Sequence, residues 1–203
     1  MPRKAAPKKR ERLELDQRRA QLLALGLTVF GERSYDDISI DDLAKAAGIS
    51  KGLLYHYFPT KRDYYVAALG EAAGQLIAAT ALATSTGITT PTRKIRAGLE
   101  AYLDFVEQRG SAYLALMRGG IGSDPEVAAI LESARTVFYE RVVIQLPRGI
   151  ASPLMRVAVR GWIGFIENAS LDWIARKTVS RDALVRLATN VLLGALKAAA
   201  LKR

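Results

Sequence analysis

Ser39-Ile-Asp-Asp-Leu-Ala-Lys-Ala-Ala-Gly48-Ile-Ser50-Lys-Gly-Leu-Leu-Tyr-His-Tyr-Phe58 is the stretch that decides the fold. Ser39, followed three residues later by Asp42, starts a helix as a capping-box variant. Its apolar face is Ile40, Leu43, Ala44 and Ala47. Gly48 ends it, because glycine takes positive φ at low steric cost. Ile49 plugs the corner, and Ser50 caps a second helix whose inner positions are Leu54 and Phe58, four apart on one stripe. Two short helices joined by a glycine turn make a helix-turn-helix, whose second helix enters the major groove of DNA.

The outward face of that second helix is Lys51, Gly52, Leu53, Tyr55, His56 and Tyr57. Three rings of Tyr and His, one ammonium and no acid suit phosphates and base edges. The helix N-terminus adds a half-positive dipole toward phosphate. An ordinary helical hairpin with surface tyrosines is the plainer alternative. His56 serves as a ring near the DNA backbone or as packing against the first helix; a pH-switch role would need a shifted pKa.

Working outward, the same cap logic divides the chain. Thr60 is followed by Asp63, and Thr90-Pro91, Asp124-Pro125 and Ser152-Pro153 each set a capping residue before a proline at the first helical position. Ser180 opens the last segment. The expectation is an all-α chain of about nine helices: 15–33, 39–46, 50–57, 60–84, 91–108, 110–118, 124–146, 153–177 and 180–201. The expected organisation is a basic, flexible arm over 1–14, a three-helix DNA-binding domain over 15–60, and a larger helical C-terminal domain over 61–203.

Composition agrees. The 203 residues carry 30 Lys/Arg and 20 Asp/Glu, a formal charge of +10, with one His and no Cys. That excess suits a polyanion. Half of it sits in the first 19 residues, where eight basic groups stand against three acids. The absence of Cys excludes thiolate metal sites and cysteine nucleophiles, and one His excludes a His-pair zinc site. No metal and no cofactor are expected. There is no G-x-S-x-G, no P-loop lysine and no clear acid pair, so an enzyme is not expected. Gly119-Gly-Ile-Gly122 lacks the context of a nucleotide loop and reads as a turn. The apolar run Leu22–Phe30 lacks a cleavage site and is too short to span a bilayer. The stretch 66–83 is interrupted by Glu71 and Gln75. A cytoplasmic protein without a membrane role is the expectation.

Residues 22–65 resemble the DNA-binding domain of TetR-type (tetracycline-repressor-like) transcriptional regulators. The resemblance rests on Leu22-Leu23, Val29-Phe30-Gly-Glu-Arg-Ser-Tyr35, Ser39-Ile-Asp-Asp-Leu43-Ala44, Ala47-Gly48-Ile49-Ser50-Lys51-Gly52-Leu-Leu54-Tyr55-His-Tyr57-Phe58-Pro-Thr-Lys61. It implies that Tyr55, Tyr57 and Lys61 grip phosphates, that Lys51, Gly52 and Leu53 face bases, and that Ser39 and Ser50 cap helices beside phosphate. Leu22, Val29, Phe30, Leu43, Leu54 and Phe58 would be core. Ser34 stands where the family usually has Gly. Asp41 stands near the DNA-facing start of the first motif helix, where it would repel phosphate or accept from a cytosine N4. Leu53 replaces a small or hydroxylated residue and would meet a thymine methyl.

The resemblance further implies a homodimer on a palindromic double-stranded operator, released by a small-molecule effector. Apolar stripes at Val159, Ile166 and Trp173, and at Leu184, Leu187, Val191 and Leu192, are the candidate dimer interface. Burial within one protomer is the alternative. Tyr102, Phe105, Tyr113, Met117, Phe138, Trp162, Phe165 and Asn168 are the candidate effector pocket, with plain core as the alternative. Glu167, Asn168 and Asp172 would orient a ligand, pair with Arg160 or Arg176, or face solvent. A C-terminal half that recruits a protein instead of a ligand stays open.

Overall fold

Hydroxyl and carboxylate caps set the helix starts in the computed structural model. The structure describes residues 7–33, 35–85, 87, 90–110, 124–146 and 152–200, with side chains from residue 15 onward. The described helices are α1 (Pro7–Glu32), α2 (Ile40–Ala46), α3 (Lys51–Tyr57), α4 (Lys61–Ser85), α5 (Pro91–Gln108), α6 (Pro125–Val143), α7 (Pro153–Arg176) and α8 (Arg181–Ala200). Among the described residues there is no strand, so the all-α class stands. The expected helix over 110–118 lies outside the described residues, except for Gly110.

The first helix corrects the sequence reading. It begins at Pro7, not at 15. Proline at a first helical position loses no hydrogen bond, and the Lys, Arg, Glu and Leu that follow are strong helix formers. The basic run over 8–14 is therefore helical. The other boundaries fall within a few residues of expectation.

The chain divides into two compact units: Met1–Ala72 with Ser111–Val127, and Ala73–Gly110 with Ala128–Arg203. The first unit holds the helix-turn-helix. Leu22, Leu23, Phe30, Ile38, Ile40, Leu43, Leu54 and Phe58 form its core with Tyr64 and Tyr65 of α4. Val29 is only half-buried. Tyr64 stacks on Phe58 at 4.3 Å between ring centroids and meets Phe30 edge-on at 5.7 Å. Its hydroxyl donates to the Leu22 carbonyl, and burial pushes the phenol up to about 12. In the second unit α7 and α8 pack together and α5 packs on α8. The Trp162 indole donates to the Ala188 carbonyl at 2.8 Å. The buried hydroxyls of Ser170 and Thr189 bond back to their own helices, so this core keeps its polar groups satisfied.

Candidate nucleic-acid interface

The turn between α2 and α3 is built from three backbone facts. Gly48 has φ +63°. Its N–H donates to the Lys45 carbonyl, and the Ile49 N–H donates to Ala44, each at 3.1 Å. That is a Schellman ending, which needs a left-handed residue at the glycine. Ser39 Oγ accepts from the Asp42 N–H at 3.1 Å while Asp42 accepts from the Ser39 N–H at 3.0 Å, a complete capping box. The Ser39 hydroxyl also donates to the Asp42 carboxylate at 2.8 Å, and this bond with the one from the Ser39 N–H holds the Asp42 carboxyl below its ordinary value. Ser50 Oγ accepts from the Leu53 N–H at 3.1 Å. Both candidate serines are therefore capping residues.

The second helix is then fixed by its inner side. Leu54 is 0 % exposed and Phe58 is buried, so Lys51, Gly52, Leu53, Tyr55 and His56 stand outward and exposed. A Cβ added at Gly52 would meet nothing within 4 Å, which leaves space for another molecule to approach the backbone. Tyr57 is half-buried, with the His56 ring edge-on at 5.7 Å.

Two residues depart from the expected roles. Lys61 does not stand free for phosphate. Its ammonium donates to the Tyr35 and Ile38 carbonyls at 2.9 and 2.8 Å and lies 4.1 Å from the Tyr35 ring centroid. Two of its three donors are already used, so it clamps the turn between α1 and α2. The outward face of α3 carries no acid of its own, but one reaches it from α2. Asp41, from the first turn of α2, lies 2.8 Å from Lys51 Nζ, and this hydrogen bond raises the Lys51 pKa. Ser34 lies outside the described residues.

Arg62 was missed by sequence reasoning. Its Nε and Nη2 donate to Asp124 at 2.5 and 2.8 Å. Asp124 in turn accepts from the N–H groups of Glu126 and Val127, capping α6. The bonds from Arg62, more than those from the backbone, hold the Asp124 carboxyl below its ordinary range. A salt bridge across 62 residues leaves no periodic signal; only the aspartate before Pro125 marked the cap.

Residues 22–68 match the family model for bacterial regulatory proteins of the tetR family, and residues 91–194 match the tetracyclin repressor-like C-terminal domain. The chain belongs to the TetR family of transcriptional regulators. Among its relatives, the HTH-type transcriptional activator FasR of Mycolicibacterium smegmatis is 29% identical over 178 residues, 86% of this chain and 80% of FasR. A tetR-family regulator from Streptomyces coelicolor superposes with a TM-score of 0.76 at 31% identity, over 91% of this chain and 82% of that one. The transcriptional regulator FadR of Bacillus subtilis, solved in complex with stearoyl-CoA, shares the fold at a TM-score of 0.67 and 19% identity, over 87% of this chain and 97% of FadR.

In this TetR-family chain the C-terminal candidates separate. Tyr102, Phe105 and Trp162 are buried and Phe138 and Phe165 half-buried. Tyr113 and Met117 lie outside the described residues. Asn168 corrects the expected set: it is exposed, and its amide donates to the Gly164 carbonyl on its own helix at 2.9 Å. Six residues at about 100° each carry it well away from the Trp162 side. Glu167 pairs with Arg135 at 2.8 Å, Arg160 pairs with Glu132, and Asp172 pairs with Arg176 at 2.8 Å.

The expected interface residues are corrected in the same way. Val159, Ile166, Trp173, Leu184 and Leu192 are buried inside the protomer, where α7 and α8 pack. Val191 is half-buried, and Leu187 alone of the set is exposed. Helix geometry gives each of these helices a second, outward stripe. On α7 it runs Leu154, Val157, Gly161, Gly164; on α8 it runs Leu187, Asn190, Gly194. Leu154, Val157 and Leu187 are 56, 65 and 52 % exposed. A Cβ at any of the three glycines would meet nothing within 4 Å.

Proposed function

We propose that this TetR-family regulator is a cytoplasmic homodimer that binds a palindromic operator and leaves it when a small molecule occupies the C-terminal unit. The observation that carries the reading is the outward face of α3, where Lys51, Gly52, Leu53 and Tyr55 stand exposed over a buried Leu54. In this reading Tyr55 and Tyr57 meet phosphate, and Lys51, Gly52 and Leu53 meet base edges. The basic residues of the first 19 add sequence-independent attraction.

The outward stripes of α7 and α8 support the dimer. Glycine inside a helix costs about 1 kcal/mol relative to alanine, and within the protomer Gly161, Gly164 and Gly194 are not crowded into that choice. Close approach of a second copy's helices gives them a reason, and a two-fold pair of recognition helices about 34 Å apart fits two half-sites one turn of DNA apart.

The effector reading rests on Tyr102, Phe105 and Trp162, buried, and on Phe138 and Phe165, half-buried, aromatic side chains of α5, α6 and α7 in the second unit. Long-chain acyl-CoA is the first class to try, because that is the ligand in the B. subtilis FadR structure, whose likeness to this chain is one of fold. Ligand acts only through its differential affinity for the DNA-bound and free conformations. The similarity to FasR, named an activator, favours activation as a second reading of the same DNA contact.

Selection of random duplexes by the purified protein at about 150 mM salt, where non-specific basic binding is weak, tests the reading. An enriched inverted repeat supports a sequence-specific dimer. Binding without enrichment that vanishes as salt rises overturns it. In vitro transcription from the selected site then separates repression from activation.

A further inference from the structure

An ion pair crosses the open face of the helix-turn-helix. Asp41 stands in the first turn of α2 and Lys51 is the first residue of α3, with Nζ 2.8 Å from Oδ2. Their side chains are 68 and 48 % exposed. A pair this wet adds little to folding. An acid on a surface that approaches phosphate also weakens attraction to any DNA. Neither stability nor general affinity explains the pair.

Base reading does. The pair holds one acceptor beside one donor at fixed spacing. In the major groove a G·C pair sets the cytosine N4 amino donor beside the guanine O6 acceptor, with the N7 acceptor next in line. Cytosine N4 and guanine O6 are joined by their own hydrogen bond of about 2.9 Å, the usual N–H···O length. That spacing matches the pair. An A·T pair also sets an amino group beside a carbonyl. Its second acceptor, however, lies on the far side of the amino group, so an ammonium beside the carboxylate meets only one acceptor there.

We infer that Asp41 and Lys51 act as one reader of a single G·C pair in each half-site, Lys51 donating to guanine O6 and N7 and Asp41 accepting from cytosine N4. The inference rests on α3 being the recognition helix. It makes Asp41 a specificity-determining residue, and it gives the acid a use that outweighs its repulsion of phosphate.

The test uses the full chain and its selected operator. Each base pair is replaced singly, and Kd is measured at about 150 mM salt for wild type, D41A, K51M and the double variant. Wild type is expected to show one G·C pair per half-site whose replacement by A·T weakens binding about tenfold or more, the scale of a good two-point base contact. D41A and K51M should each flatten that position to about twofold, and the double variant should be no flatter. Preferences elsewhere should persist. Ratios are taken within each variant, so an overall change in affinity does not obscure them. If D41A tightens binding to every duplex but keeps the wild-type profile, Asp41 is only a charge and the inference is overturned. If the two single variants flatten different positions, the pair is not one reader. If wild type selects no sequence, the operator reading falls and the pair falls with it; a selected operator with an unchanged D41A profile removes the pair alone.

Discussion

Gly26 lies under the Tyr64 ring, and a Cβ there would sit 2.8 Å from Tyr64 Cε2. Alanine in a helix interior gains about 1 kcal/mol over glycine. Tyr64 is fully buried between Phe58 and Phe30 and has nowhere to go. Overpacking of this kind costs about 1–3 kcal/mol, so Gly26→Ala should destabilise despite its better propensity; the midpoint of urea unfolding checks this. On the DNA side, Tyr55→Phe removes a hydroxyl and keeps the ring. It should weaken binding about equally for specific and scrambled duplexes if the hydroxyl holds phosphate, which fluorescence titration of both will reveal. Residue types were readable in sequence here, but partners were not. Lys61 looks like a free cation until the fold brings the Tyr35 and Ile38 carbonyls against its ammonium. Asp41 and Lys51 lie ten residues apart, a spacing that belongs to no helical period and meets only through the Gly48 turn.

Helices were the most legible level, because caps are local chemistry. Ser39, Ser50, Thr90 and Ser152 each accept from the N–H three residues on. Ser50→Ala should therefore cost about 1 kcal/mol, seen as a lower unfolding midpoint with the all-helical spectrum retained. Two caps are also acid-sensitive. Asp42 and Asp124 both have carboxyls held below their ordinary value of 3.8. A folded pKa below the unfolded one gives stability that is full above the unfolded value and is lost as pH falls through the folded one. Melting temperature should thus hold from pH 7 to about 5 and fall below about 4, and Asp42→Asn should flatten that fall. The start of α1 was misjudged because Pro7 reads as a breaker until it is placed at a first helical position.

At the scale of the whole molecule, the stripes the sequence offered for self-association fill the protomer's own core instead. Both faces of α7 and α8 are apolar, and the larger side chains fill the protomer's own core, leaving the outward stripe to glycines and a few aliphatics. Pattern alone does not say which stripe is inside. Leu187→Glu with Gly164→Arg should give a particle of the single-chain mass of 22.1 kDa by light scattering, with the helical spectrum unchanged and operator affinity lost. A dimer that survives both changes would place the interface elsewhere.

Only Pro59 and Thr60 separate α3's cap residue Phe58 from the start of α4, and the first two side chains of α4 are both spoken for: Lys61 by the turn after α1, Arg62 by the head of α6. The helix then runs unbroken to Ser85. At 1.5 Å per residue its 25 residues make a rod about 37 Å long. Tipping such a rod by about 5° swings its end through about 3 Å, a whole hydrogen-bond length. With so short a joint to the recognition helix, there is no slack to absorb the swing. A displacement of that size at the Lys61 end equals the whole length of the bonds that seat its ammonium on the Tyr35 and Ile38 carbonyls.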